Sequence, residues 1–415
     1  MTAEVAILNR IGVALAADSA ATIGRGRGGK IYSSADKLFQ LSHSDPVGVM
    51  VYGNANFIGV PWETIIKEYR REHGKKKFPT VGKHAENFLK FLGGSRKLFP
   101  RSAQNENIQD ILELHYDDIK KCIYTEVLKH GEDTARFIDK SVSDFLEFVR
   151  KQPGLVPVSD VRFNQILEKF SALISEAVGR VFHDFPISND ANEKLQLIGV
   201  EMLRRGYFPL SGNSGIVFAG FGQQEVMPAI HAYQMKGMIE NHIQFSPEVA
   251  HEVATDGEII CPFAQIEILR LFMEGIHPKR LDYMRDSTEE LFSETVTWIL
   301  DILGESAPKI SDEVKQKMNS KVQEFVEKKL FHKWEMEKEV YWRSVLRMMP
   351  SFPKDEMASV AEILVNLTKF MERITPGPET VGGPIDVAII TKGDGFVWIK
   401  RKQYFDPSLN PRLGA

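Results

Sequence analysis

With only two cysteines in 415 residues, Cys122 and Cys261, the chain has no disulfide framework. Neither has a companion at metal-ligand spacing, and so few thiols suit a reducing, cytoplasmic setting. The eleven histidines are scattered and form no His-Glu-x-x-His pair, so no metal and no other cofactor is expected. No apolar run approaches the length of a membrane span. No basic segment followed by an apolar stretch opens the chain, so no signal peptide is expected either. A basic excess is missing as well. The net charge of −4 and pI near 6.3 argue against nucleic acid as the main partner. Internal repeats and low-complexity tracts are absent. What remains is ordinary: 43% hydrophobic and 26% charged residues, enough for one large domain or two to three average ones.

Short apolar runs open the chain at 5–8, 12–17, 37–41 and 47–52, separated by turn residues, which predicts strands. Asn9-Arg10 breaks the first two runs as a tight hairpin would. The run Gly12-Val13-Ala14-Leu15-Ala16-Ala17 does not alternate, as expected of a strand buried on both faces. From Asn54 to Glu72, Phe57, Ile58, Trp62, Ile65, Ile66 and Tyr69 recur at helical spacing. A long helical stretch is expected over 81–205, broken at Pro100, at 153–157 and at Pro186. Strands resume at 215–222 and 229–235, and 258–261 reads as a short strand running into a helix. Helical periodicity returns over 278–374, where Trp334, Tyr341 and Trp342 are expected to pack the block's own core. Two strands close the chain at 385–391 and 395–402. Strands at the start, middle and end, interrupted by helical blocks, fit one α+β sheet system with helices as layers and insertions.

The chemistry is concentrated at the start. Once Met1 is removed the chain begins with Thr2, which carries a hydroxyl nucleophile and a free amine on one residue. A hydroxyl needs a base to take its proton, and an N-terminal amine, with an ordinary pKa of about 7.7–8.0, sits within reach automatically. The segment Gly24-Arg25-Gly26-Arg27-Gly28-Gly29-Lys30 nearly spells a phosphate-binding loop. Ile31 stands where the magnesium-binding hydroxyl belongs, and Ile31-Tyr32 leads into a strand rather than a helix, so a solvated basic loop is the better reading. Lys75-Lys76-Lys77 reads as a solvated helix end, and Met348-Met349-Pro350 as a helix terminus.

Thr2, the stretch Gly12 to Ser19, the strand Asp36-Lys37-Leu38-Phe39-Gln40-Leu41 and the run Val49-Met50-Val51-Tyr52-Gly53-Asn54-Ala55 together resemble the proteasome β-subunit group. That group includes the bacterial HslV and Anbu peptidases, which are N-terminal-nucleophile (Ntn) hydrolases. Val217 to Gly222 and Val381 to Asp386 resemble its later strands. The resemblance covers about half the chain. It implies a four-layer αββα Ntn-hydrolase sandwich with two large helical insertions. The segments would be 1–73 (N-terminal strands and first core helix), 74–210 (helical), 211–276 (central hairpin and helix), 277–375 (helical) and 376–415 (C-terminal strands). Strands within 1–73, 211–276 and 376–405 would form a single core.

The same resemblance implies roles for four residues. Thr2 is the nucleophile; Lys37 keeps the Thr2 amine a usable base and steadies negative charge; Asp18 pairs with Lys37; and the Gly53 N–H receives the oxyanion, with a following helix aiming its amino end there. It implies a threonine endopeptidase acting on peptide or unfolded protein, working as a homo-oligomer. The sequence identifies no ATP-dependent unfoldase partner. The chain departs from the group at two supporting serines. Ile259-Ile260-Cys261-Pro262-Phe263 has none, and Val381 occupies the other position, with Glu379 and Thr380 nearby. Two alternatives follow: a catalytically inactive proteasome-like scaffold, and a small-molecule amidase on the same fold.

Overall fold

A computed structural model describes residues 2–23, 30–130, 134–152, 160–206, 214–253, 257–303, 312–334, 336–337, 340, 347–376, 380–403, 405 and 409. The chain opens with strands Ala3–Asn9 (β1), Gly12–Asp18 (β2), Ala21–Ile23 (β3), Lys30–Tyr32 (β4), Leu38–Gln40 (β5), Val47–Gly53 (β6), Asn56–Phe57 (β7) and Val60–Pro61 (β8). Helices Trp62–His73 (α1), Val81–Gly94 (α2), Arg101–His130 (α3), Thr134–Lys151 (α4), Asp160–Phe182 (α5) and Asn189–Arg205 (α6) follow. Then come β9 (Ser214–Gly220), β10 (Ala229–Ile239), β11 (His242–Glu252), β12 (Ile259–Ala264), α7 (Ile266–Glu274), α8 (Pro278–Leu303) and α9 (Asp312–Phe325), which runs into a π-helical turn at Val326–Phe331. A 3-10 turn at Met349–Ser351 precedes α10 (Lys354–Ile374), and β13 (Ile385–Thr391) with β14 (Gly395–Lys400) complete the list. The fold is mixed helix and antiparallel sheet, in two compact units.

The first unit comprises Met1–Ser34, Val253–Ala388 and Ile399–Ala415. Its five-stranded sheet has the order β12-β1-β2-β13-β14, and residues 389–398 of the last hairpin belong to the second unit. β1 and β2 are buried along their whole lengths, as the unalternating sequence requires. Met357, Ala361, Leu364, Val365 and Thr368 form the buried stripe of α10, which packs on β1 and β2. The hairpin turn at Asn9 is also an anchor. Asn9 Nδ2 donates to the carbonyls of Met349 and Phe352, each at 3.0 Å, and Asn9 Oδ1 accepts the Ile11 N–H at 2.9 Å. One buried amide therefore fixes both the turn and the entry to α10.

The second unit comprises Ala35–Glu252 and Ile389–Trp398, with sheet order β11-β10-β9-β6-β5. α1 and α2 pack with one face of this sheet around Trp62, Tyr69, Phe88 and Phe218. Helices α3 to α6 build a separate apolar cluster from Ile108, Leu112, Tyr116, Ile138, Ile174, Leu195 and their neighbours.

Three points differ from the sequence reading. The helix expected from Asn54 begins only at Trp62, because Ile58 (φ +50°) and Gly59 (φ +77°) make a left-handed turn between β7 and β8. The helix therefore does not follow Gly53 directly, and its amino end is not what that glycine leads into. Strand β11 was not anticipated: its sequence HIQFSPEVAHE contains Pro247 and shows a weak alternation, whereas pairing with the long β10 supplies the order. Trp334 is 37% exposed and meets Phe331 edge-on, so it is not core; Tyr341 and Trp342 lie outside the described residues. Cys261 is buried and Cys122 exposed, both free thiols. Among the described residues no helix is long and apolar enough to cross a membrane.

Candidate active site

The four residues singled out by sequence fall in both units: Thr2 and Asp18 in the first, Lys37 and Gly53 in the second. In the first unit, the β1–β2 register pairs Glu4 with Ala17, which brings the start of β1 to the end of β2. There Asp18 acts as a backbone clamp. Its Oδ1 accepts the Ala3 N–H at 3.1 Å, and its Oδ2 accepts the N–H groups of Ala20 at 3.1 Å and Gly382 at 2.9 Å. A buried carboxyl group that accepts three amide N–H groups ties three separate stretches of backbone together. Ser19 adds a second tie by donating its N–H to the Gly382 carbonyl at 3.1 Å.

At Gly383 both the backbone conformation and a close neighbour call for glycine. Gly383 has φ +74°, and a Cβ there would lie 2.8 Å from the Ser33 carbonyl oxygen. Lys369 Nζ, on α10, donates to the Gly383 carbonyl at 2.9 Å. The pair of glycines quoted for its likeness to a last-strand approach thus lies against Asp18 and Ser19.

Thr2 is only 3% exposed. Its carbonyl accepts the Gln265 N–H at 3.2 Å, while the next residue, Ala3, is held by Asp18. The Thr2–Ala3 peptide group, on the carboxyl side of the Thr2 Cα, is therefore fixed at both its oxygen and its nitrogen. The Thr2 hydroxyl has no hydrogen-bond partner among the described residues, and neither has the buried Ser19 hydroxyl. A buried hydroxyl left unmet costs about 1–3 kcal/mol. Met1, whose removal would expose the Thr2 amine, lies outside the described residues.

In the second unit Lys37 stands immediately before β5 and is 5% exposed. Its carbonyl accepts the Val51 N–H at 2.9 Å, which places it beside β6 two residues short of Gly53. Gly53 ends β6 opposite Ser214, is exposed, and has φ +80°. The turn after it is tied down: Ser214 Oγ donates to the Asn54 carbonyl at 3.1 Å, and Asn54 Oδ1 accepts the Asn56 N–H at 3.0 Å. An exposed glycine on a rigid turn leaves its main chain open to close approach. The basic loop 24–29 lies outside the described residues. Its flank Lys30–Tyr32 is a strand paired with β3, so no helix amino end follows it to hold a phosphate.

Sequence reasoning missed Gln265, which binds the Thr2 carbonyl, and Glu372, which holds Gln265. Gln265, just after β12, and Glu372, in the last turn of α10, are hydrogen-bonded to each other at 2.8 Å. Thr380, which the sequence put forward without a place, donates its hydroxyl to Glu372 at 2.8 Å. Its companion Glu379 lies outside the described residues. The only sequence signal was indirect: the missing serines left a polar role to be filled.

No family model matches the chain, and no curated protein matches it. Similar solved structures include Anbu (ancestral beta-subunit) from Yersinia bercovieri, 12% identical, covering 99% of this chain and 92% of that one with a TM-score of 0.28. Others are an Anbu (Gly-1) mutant from Hyphomicrobium sp. strain MC1, at 10% identity, 99% and 91% coverage and a TM-score of 0.28. Anbu from the same strain matches at 11% identity, 99% and 94% coverage and a TM-score of 0.27. At such identity and overlap the likeness decides neither fold nor activity.

Proposed function

We propose that the chain is a threonine-type Ntn amidohydrolase that cleaves peptide bonds through Thr2. The observation that carries this is the state of Thr2. Its hydroxyl is buried and unmet among the described residues, while Asp18 and Gln265 fix the peptide group that follows it. A structural threonine gains nothing from that arrangement, whereas a nucleophile needs a hydroxyl not committed elsewhere and a fixed position.

In the proposed reaction Met1 is removed and the Thr2 amine takes the hydroxyl proton as Oγ1 attacks the substrate carbonyl. An ester to Thr2 forms, the amine side of the substrate leaves with the proton, and water releases the acyl group. Lys37 is assigned electrostatic support of the deprotonated amine and the developing oxyanion, Asp18 the partner of that lysine, and the Gly53 N–H the oxyanion contact. These assignments, the four-layer αββα arrangement, the self-assembly and the peptide or unfolded-protein substrate all come from the sequence resemblance. No metal or cofactor has a step in this scheme. A scaffold role is the second reading, favoured by the two missing serines.

A panel of peptides and simple amides, offered to native protein and to Thr2→Ala, tests the proposal. Peptide cleavage that disappears in the variant is expected. Turnover of simple amides alone would replace the peptidase with an amidase, and no turnover together with retained Met1 in the intact mass would leave the scaffold.

A further inference from the structure

The proposed activity rests on a chain that lacks the two serines its sequence resemblance calls for, yet the surroundings of Thr2 are not apolar. β12 ends on Ala264, paired with Ala3 and held at φ +67°, a region that alanine rarely adopts. This kink carries strain, and strained backbone is kept where the surroundings enforce it. Its result is that Gln265 turns its main-chain N–H onto the Thr2 carbonyl at 3.2 Å.

The Gln265 side chain is held in turn. Its Nε2 donates to Glu372 Oε1 at 2.8 Å and approaches Thr380 Oγ1 at 3.4 Å. Glu372 Oε2 accepts the Thr380 hydroxyl at 2.8 Å and lies 3.3 Å from the Thr380 N–H. The two oxygens of one carboxylate therefore bind two separate segments. Two residues beyond Thr380, the Gly382 N–H binds Asp18, which holds Ala3. The path closes on itself at the Thr2–Ala3 peptide group: Thr2 carbonyl, Gln265, Glu372, Thr380, Gly382, Asp18, Ala3.

We infer that Gln265, gripped by Glu372 and Thr380, is a positioning residue for Thr2. The inference rests on Thr2 being the nucleophile. Asp18 and Gln265 grip the two ends of one amide, Asp18 at the Ala3 N–H and Gln265 at the Thr2 carbonyl, and so fix the main chain on the carboxyl side of the Thr2 Cα that carries the hydroxyl. Glu372 touches no reacting atom in this scheme; it acts through Gln265. Displacing a reacting group by about 1 Å can cost on the order of 100-fold in rate, so loosening this loop should slow chemistry more than binding.

The test is the kinetics of adduct formation with an electrophile selective for N-terminal threonine, resolved into a saturating rate constant and a half-saturating concentration. Gln265→Ala and Glu372→Ala are expected to lower the rate constant roughly 10- to 100-fold. The half-saturating concentration should change little. Glu372→Gln, whose amide oxygen still accepts one donor, should recover part of the loss. General destabilisation would give neither that split nor that rescue. If Glu372→Ala does not fold, Glu372→Gln and Gln265→Ala decide. Native rate constants in the folded variants, with Thr2 labelled, overturn the positioning role and leave the nucleophile standing. No label on Thr2 in the native protein overturns both.

Discussion

The α3–α6 block and the strand end at Thr2 differ in what holds them, although each buries polar atoms with no partner among the described residues, Asn107 Oδ1 and Gln109 Oε1 in the block. In the block, the buried Tyr116 hydroxyl donates to the Leu195 carbonyl at 2.8 Å, and apolar side chains such as Ile108, Leu112, Ile138 and Ile174 fill the rest. At the strand end, Asp18, Gln265, Glu372 and Thr380 hold backbone from several segments, yet the Thr2 and Ser19 hydroxyls in their midst have no partner among the described residues. The first region is held chiefly by apolar packing. The second leaves a hydroxyl unmet on a residue whose following peptide is clamped, an arrangement that costs stability and for which the proposed chemistry would account.

That contrast can be broken by substitution. The largest effect expected is on turnover by Thr2→Val, which should lose at least about 1,000-fold in peptide hydrolysis. Because it removes an unmet buried hydroxyl without changing shape, its thermal or denaturant stability should equal or exceed the native value by up to about 1 kcal/mol. A clear destabilisation would mean that the hydroxyl is structural. Asp18→Ala strands three backbone donors and should cost about 3–6 kcal/mol in denaturant unfolding, with turnover lost as well.

Leu112→Ala, fully buried in the α3–α6 cluster, should cost about 2–5 kcal/mol while leaving Thr2 labelling of the folded fraction at the native rate. Loss of labelling in folded Leu112→Ala would erase the distinction between the two regions. The smallest effect concerns pH. Burial pushes His115 of the block down from its ordinary value to about 4, against a smaller upward pull from Asp118. The neutral ring is favoured on folding, so its stability contribution is full above pH 6.5 and drains as pH falls toward 4, where the unfolded chain alone binds the proton. The loss is at most about 3 kcal/mol. His115→Phe should flatten that part of the stability profile, measured by urea unfolding between pH 7 and pH 4.

Much of the fold could be read from pattern. The unalternating Gly12 to Ala17 run is a strand buried throughout, and the prolines at 100 and 186 fall between helices. Local pattern failed where pairing or a left-handed turn decided the outcome, as at β11 and at Ile58-Gly59. The site was legible in part for the same reason. Asp18 ends the strand that pairs with β1, so an acid clamping Ala3 is a short-range event. Glu372 sits in the last turn of a helix, where a glutamate reads as solvated, and only the packing of α10 on β1 and β2 brings its carboxylate to Gln265. Long-range hydrogen bonds of that kind leave no spacing to find.

The central claim is that Thr2, whose following peptide is gripped by Asp18 and Gln265, is a nucleophile at the mature chain's first position. The most direct measurement is tandem mass spectrometry of the purified protein after reaction with the threonine-selective electrophile. The account predicts an adduct on a peptide that begins with Thr2 and lacks Met1. An adduct elsewhere, or a terminal peptide that keeps Met1 and carries no label, would contradict it.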